Sequence, residues 1–110
     1  MLEAILGSEK KEKILLFLYT RGESYPAEIA RSLHYYLNAV QNQLARLEKN
    51  GVLYSRLRGT IRLYGFNPRY AFKSELYSLL EKALTFIPEE EKKKLYTPRL
   101  RPRGSGKALT

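Results

Sequence analysis

The sequence predicts an α+β chain, mostly helical, in which short helices lead into a two-stranded β-ribbon and a longer helix follows. Three observations carry this. Apolar residues recur at helical spacing and stop at Gly22 and Gly51. Aromatic and aliphatic runs flank the turn Arg58-Gly59-Thr60. Basic residues crowd the stretch from Arg46 to Lys73: Arg46, Lys49, Arg56, Arg58, Arg62, Arg69 and Lys73 against the single acid Glu48.

The elements follow in order. Leu2, Ile5 and Leu6 have the spacing of a short leading helix. Ser8 caps the next helix, Glu9 suits its positive end, and Lys10 to Tyr19 carries it until Gly22. Ile14, Phe17 and Leu18 make one apolar stripe, and Leu15, Leu16 and Tyr19 make a second surface. A helix apolar on two sides is either central or shared with a partner. Pro26 opens a helix ending near Leu33, with Ser24 as candidate cap and Glu28 placed to reach back to a free N–H. Leu37, Val40, Leu44 and Leu47 stripe the third helix, which closes at Asn50-Gly51. Val52 to Phe66 forms the ribbon, and Asn67-Pro68 breaks it. The last long helix runs from about Lys73 to Thr85 and stops before Pro88.

With 110 residues the chain is one small domain. Residues 1–87 form it, and 88–110 form a charged, flexible tail. Within the tail, Glu89 to Lys94 supports a helical turn, with acids three residues before bases. From Thr97 onward the prolines and glycines favour a mobile segment carrying Arg99, Arg101, Arg103 and Lys107. Two readings of that segment stand open: a basic arm that touches phosphates, or a solubilising end.

Twenty Lys and Arg against eleven acids give a net charge of +9, which points to a polyanionic partner. Catalysis and metal chemistry have little to work with. There is no cysteine, every acid is Glu, and His34 is the one histidine. Structural zinc wants four N or S ligands, and no glycine-rich phosphate loop is present. The expectation is therefore no enzyme, no metal and no cofactor. The longest apolar run, Ile14 to Tyr19, is too short to span a bilayer, and no signal peptide is recognised. A cytoplasmic location is expected.

The third helix carries the binding signal. Its outer side bears Asn38, Gln41, Asn42 and Gln43, amides in place of the usual Glu/Lys mixture. Amides carry donor and acceptor together and pair with adenine in a bidentate way. Tyr35 and Tyr36 precede that helix, placed either for the core or for the sugar-phosphate edge. Arg56, Arg58 and Arg62 surround a hairpin with no apolar surface to cover, which suits phosphate contact.

Together, Glu28-Ile29-Ala30-x-x-Leu33, Val40-x-x-x-Leu44-x-x-Leu47-x-x-x-Gly51-Val52-Leu53, Arg58-Gly59 and Tyr64-x-Phe66 resemble winged helix-turn-helix transcriptional regulators. The arsenical-repressor-like (ArsR-like) group is the nearest in look, and the multiple-antibiotic-resistance group is next. The likeness covers about Leu2 to Phe86. It implies sequence-specific binding of double-stranded DNA by a homodimer. It places base reading on Asn38, Ala39, Gln41 and Asn42, and backbone contact on Tyr35, Tyr36, Gln43, Arg46, Arg56, Arg58 and Arg62. The expected dimer face uses Leu15, Tyr19, Leu76, Leu79, Leu80 and Ala83. The group's metal-sensing members use cysteines and histidines that this chain lacks, so the resemblance carries no metal sensing, and any small-molecule effector is unknown. The alternative is a winged helix that docks protein or binds RNA without reading an operator.

Overall fold

A computed structural model describes residues 1–98. The expected basic arm with Arg99, Arg101, Arg103 and Lys107 lies outside the described residues. In chain order the elements are α1 (Glu3–Leu6), α2 (Glu9–Arg21), β1 (Glu23–Ser24), α3 (Pro26–Leu33), α4 (Leu37–Lys49), β2 (Leu53–Arg58), β3 (Ile61–Phe66), α5 (Lys73–Leu84) and α6 (Glu89–Leu95).

The centre is α2. Ser8 caps it by accepting from the Lys11 amide at 3.0 Å, and Glu9 and Glu12 occupy its first turn. Ile14 to Leu18 are five consecutive buried residues, so this helix is covered on all sides midway along its length. Its second apolar surface is thus used within the chain: Leu15 is 2% exposed. Tyr19 meets Tyr77 of α5 edge-on at 5.2 Å, and Tyr77 meets Phe66 of β3 at the same distance. Leu80 and Ala83 of α5 are buried in the same core. Leu15, Leu80 and Ala83, expected on a dimer face, are therefore core residues of the single chain. Leu76 and Leu79 remain partly exposed.

Two further differences from expectation concern extent. The ribbon is part of a three-stranded antiparallel sheet of order β1-β3-β2, with Glu23 opposite Gly65 and Ser24 opposite Tyr64. A two-residue strand is too short to show periodicity, so nothing in sequence spacing marked it. The boundary expected at Ile87 also moves. Beyond it α6 folds back, Tyr96 is buried in the core, and Arg21 Nε donates to the Thr97 carbonyl at 3.0 Å. Burial, then the Glu91, Glu12 and Glu9 charges, push the Tyr96 hydroxyl above its ordinary range.

The turn between α3 and α4 fixes their relative setting. Pro26 starts α3 with Tyr25 at the cap position and no side-chain cap. Ser24 does not cap the backbone; its hydroxyl donates to Glu28. His34 closes α3 with φ 61°, the left-handed conformation, and the Tyr35 amide donates back to the Ala30 carbonyl at 3.0 Å. His34 is thus the turn residue of this helix pair. α4 buries Val40, Leu44 and Leu47, and Gly51 at φ 82° turns the chain into β2. Leu37 departs from its expected place on the core stripe: it is 45% exposed, whereas Val40, three residues on, is fully buried.

Candidate nucleic-acid interface

The outward side of α4 is continuous. Asn38, Gln41 and Asn42 are exposed, with Leu37, Ala45, Arg46 and Lys49 beside them. Ala39 is half-buried on the shoulder of the helix. Gln43 is also half-buried, and its Oε1 is enclosed without a hydrogen-bond partner, so that oxygen faces away from any ligand on the outer side. The tyrosine pair divides. Tyr35 packs against the core, with Lys10 Nζ 5.2 Å from its ring centre, and burial raises its hydroxyl pKa. Tyr36 projects at the helix start, 85% exposed.

β2 and β3 continue from the end of α4 as a hairpin in register from Leu53–Phe66 to Arg58–Ile61. Gly59 at φ 63° makes the tight turn. Paired residues share a face, so Tyr54 and Arg56 lie on one side and Ser55, Leu57 and Arg62 on the other.

Each face has its own tether. On the first, Arg56 Nε and Nη2 donate to the two Glu23 oxygens at 2.9 and 2.8 Å, and the Tyr54 hydroxyl donates to Glu23 as well. These bonds cross the whole sheet, since β3 lies between β1 and β2. Gly65 makes the crossing feasible. A Cβ there would sit 2.8 Å from the Tyr54 hydroxyl oxygen and 2.9 Å from its ring carbon Cζ. Arg56 holds the Glu23 carboxyl below the ordinary carboxylate range, with Tyr54 adding to this against burial. Burial, then Glu23, push the Tyr54 hydroxyl up to about 12. On the second face, Arg62 Nη1 donates to Ser55 Oγ at 2.9 Å, and Ser55 Oγ donates to Glu48 Oε2 at 2.7 Å. The hairpin is thus bound to β1 on one side and to the last turn of α4 on the other.

The three hairpin arginines are therefore not equivalent. Arg56 is engaged by Glu23 and Arg62 leans on Ser55, while Arg58 occupies the last position before the turn, where its charge also acts on Glu23. Leu57 and Ile61 at the tip are 59% and 44% exposed. Sequence reasoning missed Glu23 and Tyr54. The available signal was Gly65, a lone glycine inside an aromatic strand, which marks a close approach.

A second surface lies between the N-terminus and α5. A shallow apolar groove of about 320 Å³ is lined by Met1, Leu2, Leu79, Lys82, Ala83 and Phe86. Phe72 and Phe86 flank α5 at 62% and 69% exposure. Among the described residues, no group of His, Cys, Asp and Glu assembles a metal site, and no helix is long and apolar enough to cross a membrane.

No protein-family model matches the chain, and no curated protein matches it. Solved structures do. The YusO protein from Bacillus subtilis is 22% identical over 83% of this chain and 72% of its own, with a TM-score of 0.60. A double mutant of Lactococcus lactis ZitR in apo form is 20% identical over 77% and 73%, with a TM-score of 0.54. A mutant S. aureus MepR bound to oligodeoxyribonucleotide is 20% identical over 84% and 74%, with a TM-score of 0.50. At these identities the likeness is one of fold. With the helix pair, the hairpin and the three-stranded sheet, it shows the chain to be an α+β winged helix-turn-helix.

Proposed function

We propose that the chain binds double-stranded DNA in a sequence-specific way and regulates transcription as a homodimer in the cytoplasm. One observation carries the reading: the exposed amides of α4, followed by its C-terminal cations, stand beside a wing that is tethered at its root and tipped by arginine. Amides on a helix supply base recognition, and cations at helix end and wing supply phosphate contact. MepR shares the fold and has been seen on an oligodeoxyribonucleotide, which supports the same role here.

The dimer would use the outer side of α5. Leu76 and Leu79 on α5, with Phe72 just before it and Phe86 just after it, follow at spacings of four, three and seven, and all keep exposure in the single chain. A two-fold pairing would hide them and set two α4 helices about one DNA turn apart, ~34 Å, so the site would be an inverted repeat.

The test is a titration of labelled duplex at several salt concentrations. Two wings and two helix ends contacting ~6–10 phosphates lose roughly 10³–10⁵ in affinity between 50 and 200 mM salt. A flat salt response, or no binding at low salt, removes the DNA reading and leaves a docking module in its place.

A further inference from the structure

We infer that α4 reads A·T base pairs in the major groove, with its amides on adenine and Leu37 and Ala45 on thymine methyl groups. This deepens the DNA-binding proposal and rests on it.

The outer face of α4 shows what chemistry it offers. From Leu37 to Ala45 there is no charged side chain. Guanine is most often read by a bidentate Arg or Lys, and cytosine by Asp or Glu. Neither type is present on the first two turns. The nearest cation is Arg46, and the one acid of the helix, Glu48, is engaged by Ser55. What the face does present is two chemistries in alternation. Asn38 and Asn42 stand one turn apart, and so do Leu37, Gln41 and Ala45; all five are exposed. An amide matches the N6 donor and N7 acceptor of adenine, and an aliphatic side chain matches the C5-methyl of thymine. These two features occur on the same base pair. Leu37, at 45% exposure, lies outside the core cluster, so an apolar surface stands open at the start of this helix. Contact with a methyl group buries that surface.

The experiment has two arms. Selection from random duplex DNA with the full chain should give half-sites whose central pairs are A·T. In the enriched duplex, thymine is then replaced by deoxyuridine, one position at a time. This removes a methyl from the major groove and leaves the minor groove and its width nearly as they were. At a contacted thymine the wild type should lose about fourfold in affinity, the worth of one buried methyl. Leu37→Ala, at an exposed position, should shrink that loss at the thymine beneath residue 37 and leave the loss at the thymine beneath Ala45 unchanged. Half-sites centred on G·C, or equal binding of both duplexes by the wild type, overturn the inference while DNA binding itself stands. Failure to bind any duplex at low salt overturns both.

Discussion

Glu23 and Arg56 sit on the two outer strands of one sheet and join across the middle strand through two hydrogen bonds of 2.9 and 2.8 Å. The wing is thereby anchored at its root by an acid that precedes α3, thirty-three residues away in the chain. An arginine that charge alone assigns to phosphate is also a strut between β2 and β1.

The strut has a pH dependence whose direction follows from its two titrating partners. The folded Glu23 carboxyl lies below its unfolded value of about 4.3. Its stabilisation is present above that value and is lost as pH falls through the folded one. The folded Tyr54 hydroxyl lies at about 12, above its unfolded value near 10, so its stabilisation is present below pH ~10 and is lost as pH rises toward 12. Urea unfolding across pH should show wild type and Tyr54→Phe converging between pH 10 and 12, and wild type and Glu23→Gln converging below pH 4. Curves that stay parallel through both windows would mean the strut does not contribute.

Gly65→Ala tests the close approach directly. The added Cβ must displace the Tyr54 ring and break its bond to Glu23. A cost of about 1–3 kcal/mol is expected from such overpacking. In a Tyr54→Ala background the same substitution should cost much less, because the obstructing ring is gone. Denaturant midpoints of the four proteins measure the coupling, and equal costs in the two backgrounds would exclude the ring as the cause.

Leu79 and Leu80 are neighbours with opposite roles. Leu80 is wholly buried, so Leu80→Ala should cost about 2–5 kcal/mol at any protein concentration. Leu79 is partly exposed beside the apolar groove, so Leu79→Glu should leave the helical circular dichroism intact and shift the sedimenting mass from twice 12.8 kDa to once that value. A wild type that sediments as a monomer at micromolar concentration would falsify the proposed dimer.

Gln41 and Arg58 should separate specificity from attachment. Gln41→Ala is expected to cost about 1–3 kcal/mol on the preferred duplex and little on random DNA. Arg58→Ala should weaken both alike and lower the salt slope by about one for each wing that touches a phosphate. Arg56→Ala should lower it less, since Glu23 already neutralises that guanidinium. A changed sequence preference in Arg58→Ala would show the wing reading a groove.

Most of the secondary structure was legible because it is written in short-range chemistry. Ser8, Gly22, Pro26 and Gly51 mark ends through hydrogen-bonding and conformational limits that act within a turn. Val40, Leu44 and Leu47 mark a face through helical spacing alone. The turn at Gly59 and the breaker at Asn67-Pro68 are equally local. From these the sequence by itself determined the order of the helices and the hairpin, the α+β class, the amide side of α4 and the basic character of the wing.

Only the tertiary structure decided what each side chain is free to do. Periodicity placed Leu37 in the core, but packing left it 45% exposed while Val40, Leu44 and Leu47 on the same stripe are buried. Apolar surplus on α2 and α5 resembled a partner's interface until α2 was enclosed by α5, α3 and the sheet, which absorbs Leu15, Leu80 and Ala83. The end of the domain moved past Ile87 because Tyr96 is held by contacts from far along the chain. Glu23 gained its role in the same way: nothing near it in sequence distinguishes it, and its partners Tyr54 and Arg56 arrive only when β1 pairs with β3. Local propensity sets which elements form, whereas long-range packing and pairing set which residues are consumed in holding them together and which are left for a ligand.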